Sequence, residues 1–286
     1  MIEQPSAAPL RYDLHMHTTA SDGTLSPQAL VDRANERGLG LIAITDHDTM
    51  DGVIQLRNQG ELGDLQLVSG VELTAQLDGR ILHIVGLNLD ENNQGLAAYF
   101  EELQQLRQRR LEAICTRLSR TGVNGQAVQT KAFELANGAS PGRPHIARAM
   151  VALNIVKSEQ AAFNQYLGTG KVADVKMSWP SLEQAIEVIK AAGGVAVLAH
   201  PTKYKMTMTK VRRVVDEFIE LGGEGIEVSY TGIGPDHMFY LIRLAKEKGL
   251  FISAGSDFHS PSHGWTDIGK FPAIEVGESH ILNRLI

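Results

Sequence analysis

The sequence predicts an α/β fold, a barrel related to the (β/α)8 form with a helical insertion. Two observations carry this. Short apolar runs alternate with amphipathic helical stretches over residues 10–90 and about 180–260, giving about seven strands. Residues with metal-binding side chains sit at or near the ends of these runs, where barrel loops carry active sites. An open doubly wound sheet is the alternative, but it would gather ligands at one switch point rather than from six strands.

The elements follow in order. Residues 10–17 read as a strand, and Ser26-Pro27 opens a helix to about 37, with Ser26 as N-cap and Pro27 in the first turn. Gly38 and Gly40 end it before the buried strand 39–45. A helix over 50–59 and a strand over 66–74 follow, and Asp78-Gly79 signals a tight turn into strand 80–88. Alternation stops near Asn92. Residues 95–120 read as one Gln- and Arg-rich helix with apolar Leu103, Leu106, Leu111, Ile114 and Leu118. Further helical pieces run to about 167, interrupted at 138–144. Residues 95–178 are therefore read as an inserted helical subdomain, with 10–94 and 179–286 as the barrel. Alternation resumes with helix 181–192, strand 195–200, a helix through 212–221, strand 225–230, a helix ending at 248 and strand 250–257. Gly193-Gly194 and Gly222-Gly223 read as helix ends turning into strands rather than phosphate loops.

A chain of 286 residues, 43% of them hydrophobic, suffices for one large domain or two average ones. No apolar run approaches the roughly 20 residues of a membrane span. Residues 1–10 lack the basic start and apolar core of a signal peptide. The single cysteine, Cys115, sits among Ala113, Ile114 and Leu118 as a helix packing residue and suits a reducing cytoplasm, the expected location. A net charge of −6 argues against binding duplex DNA or RNA, although bound cations would offset it at a site.

On a strand, residues two apart share a face, so His15 and His17 can reach one ion. Further ligand types stand in Thr45-Asp46-His47-Asp48, Gly70-Val71-Glu72, Leu82-His83-Ile84, Ala199-His200-Pro201 and Asp257-Phe258-His259. One buried histidine is usually a hydrogen-bonded core residue; several at the ends of different strands indicate a metal hydrolase. Imidazole and carboxylate without thiolate suit manganese, zinc or iron. Asp46 and Asp48 read either as partners of the ligands or as helix-start residues. His237, His263 and His280 match no motif and read as surface or loop histidines.

The ordered set of His15-x-His17, Asp22 in Ser-Asp-Gly, His47, Glu72, His83, His200 and Asp257-x-His259 resembles the polymerase and histidinol phosphatase (PHP) family. The resemblance implies a distorted (β/α)7 barrel with two or three divalent metals, manganese foremost. It implies one metal on His15, His17, Glu72 and Asp257, a second on the bridging Glu72 with His83 and His200, and a third on Asp22, His47 and His259. Glu72, His200 and Asp257 are the expected catalytic set, with Asp257 orienting the nucleophilic water or taking its proton. Family members hydrolyse phosphomonoesters or phosphodiesters, and some serve polymerase proofreading. Metals at bridging distance lower the pKa of a shared water and clamp phosphoryl oxygens.

Within the insertion, the segment from Ser140 to Arg148 offers Arg143 and Arg148 as planar forks for phosphate and His145 as a further donor. Pairing of these arginines with acidic residues such as Glu134 is the alternative. Lys176 and Ser178, with Lys171, lie where the insertion rejoins the barrel and are candidate pocket residues; Trp179 reads as packing. The Arg-Pro-His segment is similar to a PHP subgroup acting on nucleoside 3′,5′-bisphosphates and, in some members, on short RNA from the 5′ end. The expected reaction is removal of the 3′-phosphate from such a bisphosphate. Alternatives are a 5′–3′ exoribonuclease, a histidinol phosphatase-like monoesterase, a non-catalytic metal-stabilised nucleic-acid-binding module and, on fold grounds alone, an amidohydrolase.

Overall fold

Seven strands form one sheet in chain order: β1 (Tyr12–Asp13), β2 (Leu41–Ile44), β3 (Gln66–Leu77), β4 (Arg80–Leu87), β5 (Val195–Leu198), β6 (Gly225–Ser229) and β7 (Phe251–Ala254). The structure is a computed structural model describing residues 10–262, 266–274 and 277–286; His263 and residues 1–9, read above for leader features, lie outside them. Neighbouring strands are parallel except around β4, which is antiparallel to both β3 and β5. The reversal begins at Asp78 and Gly79, both left-handed at φ 49° and 74°, the geometry of a primed hairpin turn. This hairpin distorts the otherwise repeating barrel.

The barrel closes through the chain just beyond β1 and β7. Met16 pairs with Phe258, His17 N donates to Phe258 O (2.9 Å) and Asp257 N to His15 O (2.8 Å). Regular pairing at both ends is shorter than the expected strands 10–17 and 250–257. The Asp13 carboxylate, rather than a backbone partner, accepts from Ser256 N (2.8 Å) and Gly269 N (2.7 Å), and Asp257 turns left-handed at φ 53°.

Strand side chains alternate between two cores. Tyr12, Leu14, Leu41, Ala43, Val85, Val197 and Ala254 form an inner cluster closed by Ile281 and Leu282, the latter opening the short helix α10 (Leu282–Leu285). Ile42, Ile44, Leu73, Ile84, Leu198 and Ile226 face the outer helices α1 (Pro27–Glu36), α2 (Asp51–Gln59), α7 (Leu182–Ala191), α8 (Met208–Glu220) and α9 (Pro235–Lys248). Ser26 caps α1 as read, accepting from Ala29 N (3.2 Å). Gly193 and Gly222 adopt positive φ directly after α7 and α8, ending those helices before β5 and β6.

Helix α3 (Gln94–Ser119) is shared. Its first half packs Leu96, Tyr99 and Leu103 on the barrel. Its second half packs Leu111, Ile114, Cys115 and Leu118 into a separate cluster with α4 (Gly125–Ala136) and α5 (Arg143–Ala152). The short α6 (Glu159–Ala162) and a π-helical turn, Phe163–Leu167, complete this layer. One histidine departs from expectation: His280 is 1% exposed, its Nε2 2.7 Å from Tyr12 Oη, because residues 277–281 fold back beside β7. His237 is exposed on α9 as read.

Candidate metal centre

The ligand-type side chains converge at one end of the barrel. His15 and His17, extended beyond β1, both place Nε2 3.3 Å from Glu72 Oε2, and 3.6 and 3.3 Å from Asp257 Oδ1. Glu72 lies three residues past Ser69, the last β3 residue paired with β2, so it stands clear of that ladder. Across it, Oε1 meets His83 Nδ1 at 2.9 Å and His200 Nε2 at 2.8 Å, and Oε2 meets His47 Nδ1 at 3.1 Å. His83 arrives from the start of the reversed strand β4, the end that lies beside the carboxyl ends of the others. Asp22 completes the cluster at 3.4 Å from His259 Nε2 and 4.0 Å from His47 Nε2.

All nine predicted ligand residues therefore meet. Atoms of eight of them fall into three groups whose members lie within 4.8 Å of one another: His15, His17, Glu72 and Asp257; His47, Glu72 and His83; and His17, Asp22, His47 and His259. The first matches the expected grouping. In the other two, His47 also faces Glu72 and His17 also faces Asp22; His200, expected in the group with Glu72 and His83, joins none of the three, although its Nε2 lies 2.8 Å from Glu72 Oε1.

The donor set fits divalent cations. Among the described residues, eleven buried side-chain polar atoms lack a hydrogen-bond partner, and seven belong to this cluster, including His15 Nε2, both His17 nitrogens, Asp22 Oδ1 and Glu72 Oε2. Leaving such atoms unsatisfied costs about 1–3 kcal/mol each, a cost that a shared cation removes. Electrostatics point the same way. Burial would raise the Glu72 carboxyl, yet His15, His83 and His47 hold it well below its usual range. Asp257 is likewise depressed against burial, by Lys203 and His15. Burial pushes His47 and His200 down, toward the neutral form a ligand needs, whereas at His15 and His17 the facing carboxylates overcome burial and raise the imidazoles, the positions where a cation would replace a proton.

Several functional neighbours escaped the sequence reading. Glu227 on β6 places Oε1 2.7 Å from His15 Nδ1 and accepts from His200 N through Oε2 (2.7 Å). Its only signal was a carboxylate inside the apolar run Gly225–Ser229. Lys203, on the turn Pro201–Tyr204, pairs with Asp257 Oδ2 and lies 5.5 Å from the Tyr230 ring centroid. Asp46 and Asp48 brace loops and cap no helix; α2 starts without a side-chain cap. Asp46 accepts from Thr18 N (2.7 Å) and Ser21 Oγ (2.6 Å), fixing the loop that carries Asp22. Asp48 accepts from Thr74 N (2.7 Å) and Arg107 Nε (2.6 Å).

The insertion leans over this centre. Arg148 Nη2 donates to Asp22 O at 2.6 Å, and its Nε lies 3.7 Å from Glu159. His145 is 2% exposed, accepts from Gly142 N at 3.1 Å, and is pushed down to about 4 by burial. Glu134 pairs with Lys131 instead of an arginine. Lys176 and Ser178 are exposed, and Trp179 is packed. A cavity of about 470 Å³ runs from His47 and Asp48 past Gln104, Arg107 and Phe133 to Ser140 and Pro141.

A model of the PHP domain matches residues 13–230. The chain is 41% identical over 260 residues to a 5′-3′ exoribonuclease of Haemophilus influenzae, covering 91% of this chain and 93% of that protein. It is 36% identical over 262 residues to a 3′,5′-nucleoside bisphosphate phosphatase of Chromobacterium violaceum, covering 90% of each. A sulfate-bound, metal-free structure of an amidohydrolase from Chromobacterium violaceum superposes with a TM-score of 0.86 at 33% identity, covering 96% of this chain and 95% of that one.

Proposed function

This chain belongs to the PHP domain family, and on that premise we propose that it removes the 3′-phosphate from nucleoside 3′,5′-bisphosphates, leaving the 5′-monophosphate. It is a phosphoric ester hydrolase, and the carrying observation is the cluster of ligand atoms around Glu72, with buried, unsatisfied nitrogens and oxygens facing one another. Divalent cations bound there, manganese foremost with zinc or iron as alternatives, would neutralise phosphoryl oxygens and activate water. The proposed ligands are His15, His17, Asp22, His47, Glu72, His83, His200, Asp257 and His259. Glu72 holds the groups together. Asp257, kept ionised by Lys203 and His15, orients the attacking water and accepts its proton. The fixed Lys203 ammonium beside it adds positive charge where negative charge develops on the phosphoryl group.

The remaining phosphate falls to the insertion, with Arg143, His145, Arg148, Lys176 and Ser178 as proposed contacts and residues 95–178 as the specificity element. No described helix is long and apolar enough to cross a membrane, and a cytoplasmic location belongs to the same proposal. A second reading, 5′–3′ exoribonuclease on short RNA, is favoured by the cavity opening from His47 along α3, which offers room beyond a single nucleotide at the metals.

The test is phosphate release by chelator-stripped protein, with Mn titrated back, from a nucleoside 3′,5′-bisphosphate, its 3′-monophosphate and a 5′-phosphorylated short RNA. Chelation should abolish turnover, manganese should restore it, and the bisphosphate should lead. Undiminished turnover without metal would overturn the metal mechanism. Release of mononucleotides from RNA at a higher kcat/KM than phosphate from the bisphosphate would establish the second reading.

A further inference from the structure

The antiparallel ladder between β4 and β5 pairs Leu87 with Val195 at one end and Ile84 with Leu198 at the other. Continued by one residue in the same register, it would pair His83 with Ala199, each backbone N–H meeting the opposite carbonyl. Half of this rung is made: Ala199 N donates to His83 O at 3.1 Å. The other half is taken by a side chain. Tyr204 Oη accepts from His83 N at 2.9 Å and donates to Ala199 O at 2.7 Å, with His83 O farther off at 3.3 Å. A hydroxyl can do both at once, having one donor and two acceptor positions. One direct bond of about 2.9 Å is thus replaced by two in succession, which holds the chains apart at the edge of the metal centre.

This rung carries two of the proposed ligands. His83 is one member of it, and His200 directly follows the other. Their imidazoles flank Glu72 Oε1, with His83 Nδ1 at 2.9 Å and His200 Nε2 at 2.8 Å, and their ring centroids lie 5.3 Å apart at 73°. The chain returns to the rung through a sharp reversal: His200 and Lys205, on either side of the turn Pro201–Tyr204, have positive φ of 29° and 51°. The Tyr204 ring packs edge-on against His200, with centroids 5.5 Å apart at 63°. Ring and hydroxyl therefore act on the same pair of ligands, one against the His200 imidazole and the other through the backbone.

We propose that Tyr204 is a positioning residue for metal binding: its hydroxyl, wedged between His83 and Ala199, sets the separation of the His83 and His200 imidazoles about Glu72 Oε1. It acts through the backbone of the two ligands and is not itself a ligand. The inference rests on the assignment of His83 and His200 as ligands, proposed above, and is independent of which phosphate ester is the substrate.

The test titrates manganese into chelator-stripped full-length protein and follows binding by calorimetry, with no substrate present. His83→Ala marks the site concerned, as the one it removes. Tyr204→Phe keeps the ring and removes the hydroxyl, so the rung closes directly or stays open, and either outcome moves the imidazoles. It should weaken that site ten- to a hundredfold, the range found when a group that orients a metal ligand is lost, and spare the site that depends on His15, His17 and Asp257. Added to His83→Ala, Tyr204→Phe should change manganese binding no further, because the pair it spaces is already broken. Excess manganese should restore most of the turnover lost in the single Tyr204→Phe variant. Unchanged manganese affinity in Tyr204→Phe would overturn the proposal. So would a lowered Tm of the metal-free protein with uniform loss at every site, or losses that add to those of His83→Ala; these would leave Tyr204 a packing role. Undiminished manganese binding in His83→Ala would overturn the ligand assignment and the proposal with it. Tyr204-dependent manganese binding in a protein that releases no phosphate from the bisphosphate would uphold the proposal and overturn the substrate reading.

Discussion

Glu227 Oε1 lies 2.7 Å from His15 Nδ1, and both side chains are buried to within 1% of full enclosure. His15 Nε2 faces Glu72 and Asp257; with a cation held there, the ring proton would sit on Nδ1 and the Glu227 carboxylate would fix that tautomer. Through Oε2 the same carboxylate holds His200 N, whose residue adopts an unusual φ of 29°. One side chain thus orients two proposed ligands just beyond different strands. Glu227→Gln is expected to weaken metal binding ten- to a hundredfold, with turnover recovered by excess metal and the fold retained. Metal titrations monitored by kcat check this; an unchanged midpoint would remove Glu227 from the positioning role.

How much of this was legible follows from what each residue must do. A metal ligand has to be an imidazole or carboxylate, and such groups stand out in the apolar runs around His15, Glu72 and His200. The hairpin was legible at Asp78-Gly79 because few sequences tolerate two adjacent left-handed residues. Glu227 was not, since its function depends on β6 lying beside β5, which no local pattern reports. His280 read as a loop histidine because its burial comes from contact with Tyr12, 268 residues away. Arg107 and Arg110 lie within the Gln- and Arg-rich helix, and no local pattern reports that they stand over the Trp179 ring, about 70 residues away.

Gly255 shows how closely the backbone approaches the centre. A Cβ there would meet His15 Cβ at 2.4 Å and His15 N at 2.5 Å, atoms that cannot yield without moving the strand end. Gly255→Ala should displace His15 from Glu227 and Glu72, lowering metal affinity and turnover at least tenfold while costing about 1–3 kcal/mol of stability. Wild-type metal content together with wild-type kcat in this variant would show that the barrel closure is more accommodating than its geometry indicates.

His280 makes stability depend on pH away from the active centre. Burial pushes its imidazole down from 6.5 to about 4. The folded state therefore takes up a proton less readily than the unfolded chain. The contribution is fully present above about pH 6.5 and is lost as pH falls toward 4, up to about 3 kcal/mol at ~1.4 kcal/mol per unit. Denaturant unfolding at pH 7, 6 and 5 should show a shallower loss in His280→Gln than in the parent. Parallel curves would place the acid sensitivity elsewhere.

Arg148 tests the junction between specificity and catalysis. Its Nη2 donates to Asp22 O at 2.6 Å, so it touches the loop of a proposed ligand while standing among the proposed phosphate contacts. A charge-assisted hydrogen bond of this kind contributes about 1.5–3 kcal/mol, roughly ten- to a hundredfold in kcat/KM. If Arg148 meets the second phosphate, Arg148→Ala should cost the bisphosphate that factor beyond any loss on the 3′-monophosphate. Loosening of the Asp22 loop would instead lower both substrates together and shift the manganese dependence, because the ligand group with His17, His47 and His259 would be the one disturbed. Measuring kcat and KM for both substrates at several manganese concentrations separates these effects: the phosphate contact appears as a selective rise in KM for the bisphosphate that saturating metal does not reverse.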